Sequence, residues 1–213
     1  MWSEIDKPWQ ACLELAWEAY CDDCVPIGAV VTDAGGNIIS RGRNRVYPRS
    51  RWKDHPLGAE IAHAEVEALT SLDFTAGDYH EYALYTTTEP CPMCMGSLYM
   101  SGVRRLYYAA RDPFAGSTNL LGKTWYQSRK PVGVFGPEES AFENIIIALF
   151  VEQDCGFHSG RLPDGDFYQR MGEVVGSGVE LGQRLWKIGE LPRLRKVHAS
   201  AAEMVDSLSM GLE

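Results

Sequence analysis

Two short motifs set the tightest constraint on how this chain can fold: His63-Ala64-Glu65 and Pro90-Cys91-Pro92-Met93-Cys94, with Cys91 28 positions after His63. His63, Cys91 and Cys94 are the residue types of a zinc site, and three such ligands leave one tetrahedral position open. A structural zinc is closed by a fourth side chain, so an open position predicts a catalytic centre. Cys91 and Cys94, three apart, are neighbours on one face of a helix. Pro92 suits a helix's first turn, where its missing N–H costs nothing. Thiolates are also favoured near a helix N-terminus. His63 and Glu65, two apart, do not share a helical face. They converge only on a point beyond the helix N-terminus, the direction in which side chains lean. The spacing therefore predicts a metal held between the N-terminal ends of two adjacent helices.

The chemistry follows from charge. Zinc with two thiolates and one neutral imidazole is formally uncharged, so it acidifies water less than a three-histidine site and needs a nearby base. Glu65 fills that role: it can take a proton from water activated at the metal and return protons to a ring nitrogen and a leaving amine. That is hydrolytic deamination at an amidine-like carbon.

The order H-x-E, then P-C-x-x-C, is that of the zinc nucleobase deaminases. From about Trp9 to about Cys155 the chain resembles the cytidine deaminase-like superfamily, in the branch of tRNA adenosine, guanine and cytosine deaminases. The resemblance is carried by Pro26-Ile27-Gly28-Ala29-Val30-Val31, Asn44, His63-Ala64-Glu65, Thr88-Glu89-Pro90-Cys91-Pro92-Met93-Cys94 and Ala110-Arg111-Asp112. It implies a three-layer α/β/α fold on a five-stranded mixed sheet whose fourth and fifth strands are parallel. It implies Zn2+ as cofactor on His63, Cys91 and Cys94, with Glu65 as the catalytic proton carrier. It further implies that Asn44 contacts the base or sugar, that backbone amides near the metal, as at Ala64, hold the ring oxygen, and that the chain pairs as a homodimer. Glu89 before Pro90 and Pro92-Met93 resemble guanine deaminases; Ala110-Arg111-Asp112-Pro113 with Gly116-Ser117 resembles the tRNA adenosine enzymes.

Other readings of the same residues stand beside this one. Cys21-Asp22-Asp23-Cys24 is a second C-x-x-C, and with Cys91 and Cys94 it would make a closed four-cysteine site. That leaves His63-Ala64-Glu65 unexplained, and ordinary thiols at the end of the first helix fit better. Asn44 alone would be a turn residue. His55 reads as a loop or substrate-side residue rather than a fourth ligand. A non-catalytic scaffold subunit would lack a proton carrier, and Glu65 is present.

At 213 residues and 23.7 kDa the chain is long enough for one domain with an extension: a deaminase domain over 1–156 and a C-terminal extension over 157–213 that packs on the core or on a partner subunit. The longest apolar run, Ile145 to Val151, is too short to span a bilayer. Met1-Trp2-Ser3-Glu4 shows no signal-peptide pattern, and six cysteines, two of them in a metal motif, fit a reducing cytoplasm. The net charge of −9 tilts the expected substrate toward a small molecule: a free nucleobase, nucleoside or related heterocycle, purine-type favoured. tRNA adenosine-to-inosine editing is the alternative. It would use the basic clusters Arg41 to Arg45, Arg49 to Lys53, Arg104-Arg105 and Arg193 to Lys196.

Along the chain, Trp9, Cys12, Leu13, Ala16, Trp17 and Tyr20 recur at helical spacing. Ile27 to Thr32 and Asn37 to Arg41 flank Asp33-Ala34-Gly35-Gly36 as a hairpin. A loop from Arg43 to about Gly58, with Pro48, Trp52, His55 and Pro56, is long enough to bind a ligand. The His63 helix ends near Leu72, Tyr82 to Thr87 is a strand feeding the cysteine helix, and that helix runs to about Ser101. Val103 to Ala109 and Pro131 to Phe135 are further strands, joined by a connector over 111–130. Phe142, Ile145, Ile146, Leu149 and Phe150 mark a last core helix that stops near Gly156. Strands alternating with helices argue α/β. In the tail, Gly172, Gly176, Gly178 and Gly182 weaken helix, whereas Ser200 with Glu203 forms a capping box ahead of the stripe Ala201, Met204, Val205 and Leu208. A sharper role for the tail is a lid on the pocket or a contribution to a neighbouring active site.

Overall fold

The computed structural model describes residues 2–46, 60–158, 160 and 165–210. The expected binding loop, with Trp52, His55 and Pro56, lies outside the described residues from 47 to 59. The first helix, α1 (Lys7–Cys21), carries Pro8 in its first turn and buries the whole stripe read from its periodicity, Trp9 to Tyr20. Strands β1 (Gly28–Thr32) and β2 (Ile38–Arg43) pair antiparallel. Their turn is held by Asp33, whose Oδ1 accepts the amide N–H of Gly35 and of Asn37 at 2.8 and 2.9 Å. There follow α2 (Ala64–Thr70), β3 (Ala83–Thr88), α3 (Pro92–Ser101) and β4 (Arg105–Ala110), then a one-turn helix α4 (Trp125–Ser128), β5 (Gly133–Phe135) and α5 (Ser140–Phe157).

The sheet runs β2-β1-β3-β4-β5, with β1 antiparallel to both neighbours and β3, β4 and β5 mutually parallel. It is the expected five-stranded mixed sheet in an α/β fold. β1 is buried on both faces, and its side chains alternate between two cores, as a pleated strand requires. Val30 packs with Leu13 of α1 and Ile145 and Leu149 of α5. Ala29 and Val31 pack with Ala68 and Leu69 of α2 and Met95 and Leu98 of α3.

One edge of this sheet gathers the chemistry. β1 begins there, β2 ends there, and parallel β3 and β4 both end there, since Gly28 pairs with Arg43, Ala29 with Thr86 and Thr88 with Ala110. Asn44, the Cys91 turn and Asp112 each follow one of those strand ends. Ligands of open α/β sheets bind at the carboxyl ends of parallel strands.

The tail departs from the sequence expectation. Instead of a glycine-weakened stretch, residues Asp166–Ile188 form a 23-residue helix, α6, kinked at Val175. Gly178 and Gly182 are where α6 meets α5: a Cβ would lie 2.7 Å from Ile147 Cβ at the first and 2.7 Å from Val151 Cβ at the second. Their helix-propensity cost is offset by close backbone approach. Helices α7 (Glu190–Lys196) and α8 (Ala201–Met210) follow, and Leu191, Leu194, Met204, Val205 and Leu208 join the core of α1 and α5. The Ser200 capping box forms as read, with Glu203 Oε2 accepting the Ser200 N–H at 2.7 Å and Ser200 Oγ accepting the Glu203 N–H at 3.3 Å.

Gly182→Ala should destabilise the protein by about 1–3 kcal/mol through overpacking. Gly172→Ala, with open space around its Cβ, should instead stabilise it by up to about 1 kcal/mol. Urea unfolding of the two variants measures both signs.

Candidate active site

His63 occupies the N-cap of α2 and Cys91 the N-cap of α3, both in extended backbone. The two helix starts therefore meet as the motif spacing requires. His63 Nδ1 lies 3.6 Å from Cys91 Sγ and 3.4 Å from Cys94 Sγ, and the two sulfurs are 3.7 Å apart. Tetrahedral zinc, with bonds of about 2.3 Å to sulfur and about 2.05 Å to nitrogen, sets such edges at about 3.8 Å for S···S and about 3.6 Å for S···N. The donor set fits zinc in type and spacing, and among the described residues these three form the one His/Cys/Asp/Glu group able to hold a metal ion. Cys21 and Cys24 take no part in it, so the closed four-cysteine arrangement does not form.

The three donors share protons tightly. The hydrogen bond from Cys94 and that with His63 hold the Cys91 thiol far below the ordinary cysteine range. The same shared proton and burial push Cys94 up, and the Cys91 partner raises His63. A divalent cation between them would take the place of those protons.

Glu65 sits in the first turn of α2 and is 3% exposed. Its Oε1 accepts from Thr86 Oγ1 of β3 at 3.2 Å, and its Oε2 lies 3.4 Å from Cys94 Sγ. Burial raises its proton affinity. Ala64 is the first residue of α2, and first-turn N–H groups lack helical acceptors and face outward past the helix end. Asn44, 1% exposed, follows β2 at the same edge. Its N–H donates to Ile27 O at 2.9 Å, and its Oδ1 accepts the Val46 N–H at 2.7 Å.

Contacts that the motif reading did not anticipate fix this edge. Ser117 N–H donates to Pro90 O at 3.0 Å, and Glu89 Oε1 accepts from Thr118 N at 3.2 Å and Thr118 Oγ1 at 2.5 Å. The turn after β4 is thereby laced to the cysteine turn. Buried Glu143 of α5 holds Arg111 through three hydrogen bonds, to its N, Nε and Nη2 at 2.9, 2.8 and 2.7 Å. Glu89 and Arg111 belonged to quoted motifs, but their partners lie 29 and 32 positions away and carry no local signal.

Residues 3–110 match the cytidine and deoxycytidylate deaminase zinc-binding region. Over 83 residues the chain is 36% identical to a probable cytosine deaminase of Schizosaccharomyces pombe, covering 39% of this chain and 46% of that one. Over 113 residues it is 36% identical to a tRNA-specific adenosine deaminase of Haemophilus influenzae, covering 52% and 61%. The chain spans less than two thirds of the length of either relative. A solved structure of a guanine deaminase from Nitrosomonas europaea superposes with a TM-score of 0.54 at 25% identity, over 70% of this chain and 85% of that one. With the family's zinc-binding region spanning both motifs and its fold underneath them, the chain belongs to the cytidine and deoxycytidylate deaminase family.

Proposed function

We propose that the chain is a zinc-dependent hydrolytic deaminase that replaces a ring amino group with oxygen on a free nucleobase, nucleoside or related heterocycle, purine-type favoured, and releases ammonia. The observation that carries this is the Glu65 carboxylate, buried beside three convergent zinc-type donors. His63, Cys91 and Cys94 would hold the ion, which as a Lewis acid lowers the pKa of water. Glu65 takes a proton from the attacking water at its carboxylate and delivers it to the ring nitrogen beside the reacting carbon. The water's second proton passes to the leaving amine. A C–O bond forms, the exocyclic C–N bond breaks, and water plus the amino heterocycle yields the oxo heterocycle plus ammonia. Thr86 Oγ1 orients Glu65 from behind. Asn44, with Oδ1 engaged by Val46, offers its NH2 group to an acceptor on the ring, and the N–H at Ala64 faces the developing oxygen.

Charge placement supports a small substrate. Five of the seven described arginines of the basic clusters pair with carboxylates within the protein: Arg43 with Asp22 at 2.6 Å, Arg45 with Glu67 at 2.8 Å, Arg105 with Glu81, Arg193 with Glu190 at 2.7 Å and Arg195 with Asp23 at 2.5 Å. A phosphate backbone would have to compete for each. Arg49 to Lys53 lie outside the described residues. The purine preference draws on Glu89-Pro90 and Pro92-Met93 and on the guanine deaminase superposition. The second reading, tRNA adenosine editing, draws on the Haemophilus influenzae relative. A second copy of the chain is proposed as partner, since Met100, Trp125 and Tyr126 form an exposed apolar patch. Light scattering should give twice the chain mass, falling to the monomer with Trp125→Asp.

Ammonia release by zinc-loaded protein should be seen with at least one of adenine, guanine, cytosine or their nucleosides. Turnover of a tRNA anticodon stem-loop alone, falling steeply with salt, would instead establish the editing enzyme. Glu65→Ala should keep its zinc and lose about 10²–10⁴-fold in turnover; retained activity would remove Glu65 from the mechanism. In the metal-free protein iodoacetamide should label Cys91 first at pH 6, because its thiol is the one held low, and zinc should protect both cysteines.

A further inference from the structure

Among the carboxylates beside the site that the deamination chemistry does not use, Glu67 ties the metal-site helix to the segment that carries Asn44. Glu67 lies in α2, one turn beyond His63, and its N–H closes the helical bond to His63 O at 3.1 Å. Its side chain turns toward β2. Oε2 accepts the backbone N–H of Arg43 at 2.9 Å, and Oε1 accepts Arg45 Nε at 2.9 Å with Arg45 Nη2 at 2.8 Å. One carboxylate therefore grips the residue before Asn44 and the residue after it. The same short segment is tied at Arg45 N to Ala62 O at 2.9 Å, immediately ahead of His63.

We propose that Glu67 is a positioning residue for substrate binding: it fixes Asn44 relative to the His63 helix, so that the Asn44 amide meets the ring while the metal ligands and Glu65 meet its reacting carbon. This rests on Asn44 being a substrate contact. The physical need is plain. Asn44 stands just past the end of β2, where the ladder to β1 stops at Gly28 and Arg43 and a single further bond, Asn44 N–H to Ile27 O, follows, and a strand end frays unless it is tied down. An amide a fraction of an ångström out of place loses its directional hydrogen bond. Charge-assisted bonds to Glu67 on both sides of Asn44 transmit the position of α2 directly to it. The contact is made to substrate before and during reaction alike, so its loss belongs in KM rather than kcat.

The test is a double-mutant cycle on the zinc-loaded protein, with guanine as substrate or, should guanine be inert, whichever of the other bases and nucleosides turns over fastest. Glu67→Ala should raise KM about fivefold with kcat within about twofold, and Glu67→Gln, which keeps one acceptor, should fall between it and the wild type. Asn44→Ala should raise KM at least as much, and the double variant should match Asn44→Ala alone, because Glu67 acts through Asn44. Independently of any substrate, amide exchange across residues 43–46 should quicken about tenfold in Glu67→Ala while α2 stays protected. An undiminished Glu67→Ala effect in the Asn44→Ala background, or unchanged exchange at 43–46, would overturn the proposal. Asn44→Ala without any change in KM would instead remove Asn44 as a substrate contact, and the assignment of Glu67 with it. Silence from every base and nucleoside would mark failure of the small-substrate reading, leaving the exchange measurement to decide whether Glu67 holds the segment.

Discussion

Gly42 stands in β2 at a place where any side chain would collide with the next layer. A Cβ there would lie 2.2 Å from the Ala64 carbonyl oxygen and 2.4 Å from the Ala68 amide nitrogen. Ala64 is the residue between His63 of the donor triangle and the buried Glu65, so this backbone-to-backbone contact fixes both at once. Its neighbours reinforce it. Two positions earlier Ser40 Oγ donates to Ala68 O at 2.5 Å, and one position later the Arg43 N–H reaches Glu67. β2 is thus a ruler laid along α2. The start of α3 is set the other way, through β3, whose last residues run straight into the cysteine turn. The donor triangle closes because these two placements agree.

The site also shows how an acidic protein arranges charge. Buried carboxylates are spent on specific partners: Glu143 on Arg111, and Glu152 on the Tyr20 hydroxyl at 2.6 Å. Glu65, like Glu152, meets a hydroxyl rather than a cation, and differs in lying 3.4 Å from Cys94 Sγ of the donor triangle. A buried carboxylate without a counter-ion is costly, and at Glu65 that cost falls beside the donor triangle.

What was legible in the sequence followed from short-range rules. The hairpin, the helix starts at His63 and Cys91, the stripe on α1 and the Ser200 capping box are each set by residues within a few positions of one another, where spacing speaks for geometry. The glycines of α6 misled for the opposite reason. Propensity counts Gly178 and Gly182 against a helix, and only the arrival of Ile147 and Val151 some thirty positions earlier shows what the missing side chains make room for. The two-sided grip of Glu67 on Arg43 and Arg45 was equally silent, since its partners lie 24 and 22 positions back and belong to another element.

The two described ends of the fold also close on each other. Trp17 Nε1 donates to Ala199 O at 2.7 Å across 182 positions, the Trp2 N–H donates to Asp206 Oδ1 at 3.0 Å across 204, and Met204, Val205 and Leu208 share a core with Trp9 and Leu13. The outer face of α1 therefore finds its cover only when α8 has been made. At ribosomal rates of about 5–20 residues per second that face waits on the order of 10–40 s. Trp9 can meet Tyr85 and Phe142, and Tyr20 can meet Glu152, before then, so it is the Trp17 indole that stays without its partner until Ala199 emerges and offers a chaperone at the exit tunnel a point of capture.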